Sequence, residues 1–192
     1  MAQSARNSTD DAPKQTAGLN EIIVTAQHRT ENLQEVPIAV AAVTADTLSK
    51  AGINETNALS QVIPAVNFQR SGASGLFFVR GVGTTNASVG DEGSNAFYVD
   101  GVYIPDLAGT VTQFNNIERI EVLKGPQGTL FGRNAFGGLI HIITKEPGDY
   151  LKAQGEAGYA NYETVHGKLY VGGPITDNLS MDIALTGYNQ SK

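Results

Sequence analysis

The chain has 192 residues, of which 41% are apolar and 17% charged, with 22 Gly, 7 Pro and no Cys. That mixture excludes a coiled coil or a collagen repeat, and the missing thiols exclude disulfide frameworks, zinc knuckles and thiol catalysis. With 13 basic against 19 acidic residues the net charge is −6, and no basic cluster offers a nucleic acid a footing. No run approaches the roughly 18 uncharged apolar residues of a membrane-spanning helix, and the N-terminus lacks the apolar core of a secretion signal.

Residues 1–20 hold almost no large apolar side chain and read as a disordered arm, unable to offset the entropy of ordering. Glu21, Ile22, Ile23, Val24, Thr25 and Ala26 then form a short β-prone island ahead of the polar residues 27–35. It reads either as an edge strand of the next domain or as a strand that pairs with a partner. Residues 36–43 read as a buried strand. Thr44 or Asp46 is placed to cap a helix through about Ala51 with Gly52 beyond it, and Thr56 or Asn57 to cap another that stops before Pro64. Residues 76–80 form a strand. Residues 96–99 and 102–104 flank Asp100-Gly101, the pair favoured in a type I′ hairpin turn. Residues 119–124 alternate, which puts Arg119 and Glu121 on one face as a local pair, and residues 139–145 are again β-rich. The stretches 69–75 and 83–95, rich in Gly, Ser, Thr and Asn, read as loops suited to a ligand-facing surface or as plain solvated connections. Short strands mixed with short helices predict an α+β domain around a small mixed sheet.

The last forty or so residues change character. Ala153, Gly155, Ala157 and Tyr159 alternate with polar residues, as do Val165, Gly167, Leu169 and Val171, and then Leu179, Met181, Ile183 and Leu185. Three such segments, with turns expected at Ala160-Asn161 and Gly173-Pro174, match either transmembrane β-barrel strands or a soluble antiparallel sheet with one wet face. Closing a barrel takes about eight strands. The sequence ends among polar residues just past the third segment and reads as stopping in a loop.

Residues 117–138, Ile117-Glu118-Arg119-Ile120-Glu121-Val122-Leu123-Lys124-Gly125-Pro126-Gln127-Gly128 onward to Gly137-Gly138, continue into Leu139-Ile140-His141-Ile142-Ile143-Thr144-Lys145. Upstream stand Val36-Pro37, Ile63-Pro64-Ala65-Val66, Val79-Arg80-Gly81 and Tyr98-Val99-Asp100-Gly101-Val102. In this order and spacing the chain resembles the plug domain of TonB-dependent outer-membrane receptors. The resemblance implies a disordered arm at 1–20, a TonB box at 21–27, a plug at 28–149 and the first three strands of an incomplete transmembrane barrel at 150–192. It also implies a transporter in the outer membrane of a Gram-negative bacterium, with its plug inside the barrel and its arm in the periplasm. Its partners would be the TonB C-terminal domain, outer-membrane lipid and a scarce nutrient such as a ferric siderophore. A free-standing periplasmic plug-like binding or adaptor module is the alternative.

On the same grounds Glu21, Ile22, Ile23, Val24, Thr25 and Ala26 would bind TonB as an exposed strand added to a sheet edge. Arg80 and Lys124 would pair with carboxylates of the barrel wall, the plainer reading being two surface charges at strand ends. Arg70, Ser71, Asn86, Asp91 and Glu92 would face the ligand, with Arg70 favouring an anionic chelate. The glycines of 125–138 lack the register of a Walker loop and read as close-packed turns. His28, His141 and His166 lie far apart, so no metal or cofactor site is expected, and no nucleophile–base arrangement points to an enzyme.

Overall fold

The computed structural model describes residues 23–24, 31–32, 38–86, 88, 90–161 and 163–189. A short strand β1 (Ile23–Val24) pairs antiparallel with β2 (Glu31–Asn32). The remaining strands of the first part are β3 (Val40–Thr44), β4 (Val66–Ser71), β5 (Ser74–Val79), β6 (Val82–Gly83), β7 (Ala96–Val99), β8 (Val102–Tyr103), β9 (Ile117–Lys124) and β10 (Gly138–Thr144). Helices α1 (Ala45–Lys50) and α2 (Gly128–Phe131) are short, and residues 56–61 form a 3-10 turn.

Five strands make one mixed sheet in the order β3-β9-β10-β7-β8, with β7 and β10 parallel and the other pairs antiparallel. The period of two sorts its residues onto two faces. Val43, Phe97, Ile120, Val122, Ile140 and Ile142 point to the main core, where they meet Leu48, Leu59, Ile63, Val66, Phe77 and Val79. Phe77 stacks on Phe97 at 5.5 Å between ring centres. On the opposite face Ala96, Leu123 and Leu139 pack under Phe131 and Ala135.

Local chemistry explains most element ends. The Thr44 hydroxyl accepts from the Thr47 amide at the start of α1, and Gly52 past its end has φ +69°. Asp100 (φ +48°) and Gly101 (φ +78°) form the expected hairpin turn. The Asp100 carboxylate fastens that turn to β10 by accepting from the Thr144 amide and hydroxyl, each at 2.8 Å.

Several expectations are corrected. The strand expected at 36–43 begins at Val40, and all but Val43 in it are only half-buried. Neither Thr56 nor Asn57 caps the second helical segment: its cap position is Glu55, without a side-chain bond, and the Thr56 hydroxyl instead donates to the buried Thr110 carbonyl at 2.9 Å. Much of the stretch read as loop at 69–75 belongs to the β4–β5 hairpin, in which Gln69, Arg70 and Ser71 pair with Leu76, Gly75 and Ser74. Alternation in Val66-Asn67-Phe68-Gln69 carried that signal, and the polar residues after it hid it.

The C-terminal part is a three-stranded antiparallel sheet, β11 (Lys152–Ala160), β12 (Thr164–Thr176) and β13 (Leu179–Asn189). At 9, 13 and 11 residues these strands are long enough to cross a bilayer core when tilted. Leu169 lies opposite Gly155 and Leu185, and Val171 opposite Ala153 and Ile183, so the small and apolar positions share one face. Leu169, Met181, Ile183 and Leu185 are exposed there. The turn expected at Gly173-Pro174 falls later, at residues 177–178: β12 runs on through Pro174, with a register shift between Pro174 and Thr176. Such an irregularity tolerates the missing amide of proline.

Candidate functional site: the wall contacts, a buried charge cluster and the N-terminal strap

The polar face of the three long strands lies against the first part of the chain. Lys168 Nζ donates to Asn54 Oδ1 at 2.6 Å, Asn116 Nδ2 donates to Asp182, and the Thr186 hydroxyl lies 3.4 Å from Gln113 Oε1. The apolar face points away from all of these. The plug-like sheet therefore sits on the wet side of a sheet whose other side suits lipid.

Arg80 and Lys124 come to the same corner of the fold. Val79 packs over Gly138, the cross-strand neighbour of Lys124, and a Cβ on Gly138 would stand 2.3 Å from the Leu123 carbonyl oxygen. Arg80 itself takes φ +52°, held by its amide donating to the Ala65 carbonyl at 2.8 Å, and its side chain is exposed. Two cations thus share one edge of the corner, and no ion pair is formed by either among the described residues.

The five residues expected to face ligand do not form one group. Arg70 and Ser71 end β4, with Arg70 Nε donating to the Gly72 carbonyl at 3.2 Å and the guanidinium otherwise exposed. Asn86 is exposed in the next loop, where Asp91 accepts from the Ser88 amide at 3.0 Å. Glu92 departs from the expectation. It makes an ion pair with Arg133 at 3.1 Å and accepts from Asn134, whose amide also reaches the Tyr103 hydroxyl at 2.7 Å. Glu92 thus ties the loop down, a role that its neighbours in sequence did not reveal.

On the sheet face opposite the main core, Glu121 is fully buried and accepts from Arg119 Nε at 2.8 Å, as the alternation predicted. His141 Nδ1 stands 4.0 Å from the second carboxylate oxygen, while its Nε2 accepts from the Gly101 amide at 3.0 Å. That acceptor role fixes the neutral tautomer with the proton on Nδ1, towards Glu121. Close by, burial lifts the Tyr98 phenol above its ordinary range, with Tyr103 adding to the shift, and the hydroxyl donates to the Phe131 carbonyl at 2.8 Å.

The island at the N-terminus is not an exposed strand at Val24. Val24 is fully buried against Ile38, Val40 and Ala42, and Ile23–Val24 pairs with Glu31–Asn32 of the same chain. The cause is hydrophobic: the half-buried outer row of β3 needs a cover, and the nearest β-branched side chain supplies it. Ala42 is the cross-strand partner of Glu121, so the strap lies beside the buried charge cluster. Glu21, Ile22, Thr25, Ala26 and His28 lie outside the described residues. Among the described residues no group of three metal-ligating side chains exists.

Sequence reasoning missed Asn54, Gln113 and Asn116, which make contacts only between distant elements. His166, Lys168 and Asp182 were visible as polar positions of alternating strands, but nothing local said what they faced.

A family profile described as "TonB-dependent Receptor Plug Domain" matches residues 32–139. The pesticin receptor of Yersinia pestis is 32% identical over 143 residues, covering 74% of this chain and 21% of that protein. The vitamin B12 transporter BtuB of Vibrio vulnificus is 35% identical over 128 residues, 60% of this chain and 20% of that one. Among solved structures, the ferric yersiniabactin uptake receptor FyuA from Yersinia pestis superposes with a TM-score of 0.70 at 30% identity, covering 78% of this chain and 24% of that one. The chain thus spans about a fifth of the length of the curated relatives it matches. The matched segment coincides with the mixed sheet, and the long strands follow it with their apolar face outward: the chain belongs to the TonB-dependent receptors of the Gram-negative outer membrane, and carries their plug domain followed by barrel strands.

Proposed function

We propose that this chain is the N-terminal part of an importing receptor: a plug gates the barrel lumen, takes a scarce nutrient on its outer side and is worked from the periplasm by TonB. The observation that carries this reading is the docking of the plug sheet onto the polar face of β11–β13 through Asn54, Gln113 and Asn116. A barrel of about twenty strands or more leaves a lumen that its own side chains cannot fill, and the polar face is where a filling element would be held. In this reading residues 1–20 are the arm, 21–27 the TonB box, 28–149 the plug and 150–192 the first barrel strands.

Arg80 and Lys124 then pair with wall carboxylates further along the barrel, a use that fits two unmatched cations at one corner. Arg70, Ser71, Asn86, Asp91 and Glu92 face the incoming ligand, Glu92 from its place beside Arg133. Ferric siderophores are the favoured cargo, on the strength of the yersiniabactin receptor at 30% identity. TonB binds by adding its own sheet edge to residues 21–26 once the strap has lifted. The test is Ile23→Pro in the full-length receptor. Proline removes a main-chain donor, so uptake is lost while ligand affinity stays unchanged. Wild-type uptake by that variant rules the assignment out.

A further inference from the structure

The plug grips the three long strands through Asn54, Gln113 and Asn116, and Asn116 stands just ahead of β9. Over its eight residues β9 then runs about 23 Å, at about 3.3 Å per step. Its partner β10 starts beside that far end, with Gly138 opposite Lys124. The turn leading into β10 carries Phe136, whose side chain is 72% exposed. The ring stands in the open although the backbone around it is fixed. The Ala135 carbonyl accepts from the Gln127 amide at 2.8 Å, the Phe136 amide donates to the Ser94 carbonyl at 3.0 Å, and the Gly137 carbonyl accepts from the Gly125 amide at 2.9 Å. Ala135, Gly137 and Gly138 on either side are buried. A Cβ on Gly137 would stand 2.4 Å from Asn95 Oδ1 and 2.8 Å from Val82 Cβ, so that turn is packed as close as glycine allows. Val82, itself an exposed apolar side chain, thus lies against the residue next to Phe136.

We propose that Phe136 is a rigid apolar knob, seated in the full-length receptor in an apolar socket of the barrel wall that follows β13. The inference rests on the plug-in-barrel part of the reading above and adds to it an anchor of a different chemistry from the two cations. Three observations name the wall as the occupant. The plug already meets one part of that wall at the other end of β9, so the knob continues an interface that the structure contains. The chain spans about a fifth of the length of its curated relatives, so in proteins of that length most of the wall lies outside it. Arg80 and Lys124 stand at the same corner with no ion pair among the described residues, while Glu92 of the neighbouring loop is engaged by Arg133 at 3.1 Å. The corner therefore offers apolar surface beside unmatched positive charge, and its complement is a hollow that is apolar at its centre and polar at its rim. Covering the ring recovers the burial that water denies it. Little ordering entropy opposes this, because hydrogen bonds already hold the backbone on both sides of the ring. An aromatic anchor preorganised in this way is the kind of residue on which an interface depends most.

The experiment uses the full-length receptor in outer-membrane preparations, with p-benzoylphenylalanine in place of Phe136. Irradiation is expected to link that position to a barrel peptide beyond residue 192, identified by mass spectrometry. In the receptor without the photoprobe, Phe136→Ser is expected to speed amide exchange at Val82, Gly137 and Gly138 about tenfold or more, and Phe136→Leu to keep the original rates. On a bare surface the serine variant would leave those rates alone, because an exposed side chain has no burial to lose. A link to residues within 1–192 or to lipid, no link at all, or exchange indifferent to Phe136→Ser overturns the knob. Uptake of radioactive ferric chelates and vitamin B12 by cells carrying the receptor separates the two readings. Import without a link to the barrel removes the knob alone, whereas a link to the barrel without import of any nutrient tried counts against the import reading and leaves the knob in place.

Discussion

If the strap must lift before TonB can pair with residues 21–26, the contact that holds it down sets how often the box is available. Val24 is fully buried against Ile38, Val40 and Ala42. Replacing it with Ala removes two methyl groups from that contact. At about 0.8 kcal/mol per buried carbon the strap loses about 1.6 kcal/mol, which multiplies the lifted population more than tenfold while that population remains small. Apparent affinity for TonB scales with the lifted fraction, so Val24→Ala is expected to bind the TonB C-terminal domain about tenfold more tightly. Main-chain pairing itself is little affected by the smaller side chain. Val40→Ala attacks the same contact from the plug side without altering the box, and tightens binding in the same direction. The assay is fluorescence anisotropy of a labelled TonB domain titrated with the full-length receptor in detergent. Equal or weaker binding in both variants refutes the view that Val24 burial restrains the box.

Two further outcomes follow from the sheet. Arg119→Met removes the guanidinium bonded to the fully buried Glu121 carboxylate, a loss of about 3–5 kcal/mol. Amide exchange in β9 and β10 of the full-length receptor should then accelerate by two orders of magnitude or more, and the added Glu121→Gln change should reverse most of it. Gly138→Ala forces a Cβ to within 2.3 Å of the Leu123 carbonyl oxygen at φ +149°. The receptor is expected to lose protection at the Arg80 and Lys124 corner first, as read by exchange at Val79 and Leu123.

Legibility followed the range of the interactions. The Asp100-Gly101 turn, the Thr44 cap and the Arg119–Glu121 pair are set within a few residues and were readable as such. The apolar face of β11–β13 was equally plain, since a period of two needs no partner to be seen. What failed was decided across the fold. Thr56 has a hydroxyl fit for a cap, yet the Thr110 carbonyl 54 positions away claims it. Glu92 reads as a free loop carboxylate until Arg133 and Asn134 are brought to it. Val24 belongs to an island between polar tracts, and only the half-buried row on β3 says where that island goes. The family's order of motifs supplied the architecture, because those motifs mark turns and close approaches, whereas the bonds of Lys168 to Asn54 and of Asp182 to Asn116 depend on two separate sheets meeting.

The strand order β3-β9-β10-β7-β8 also constrains how the molecule is made. Val40 pairs with Leu123, roughly eighty residues further on, and β7 finds its parallel partner only when residues 139–142 arrive. The central strand of the sheet is therefore the last of the five to emerge, and β3 spends the interval as a bare edge with apolar residues on it. A nascent chain cannot build this sheet outward from its beginning. It must reach its compartment loose and settle in one late step, so the interval between delivery and closure is when bare strands invite pairing with other chains. Any shortened chain that ends before Gly138 would have no centre on which to assemble.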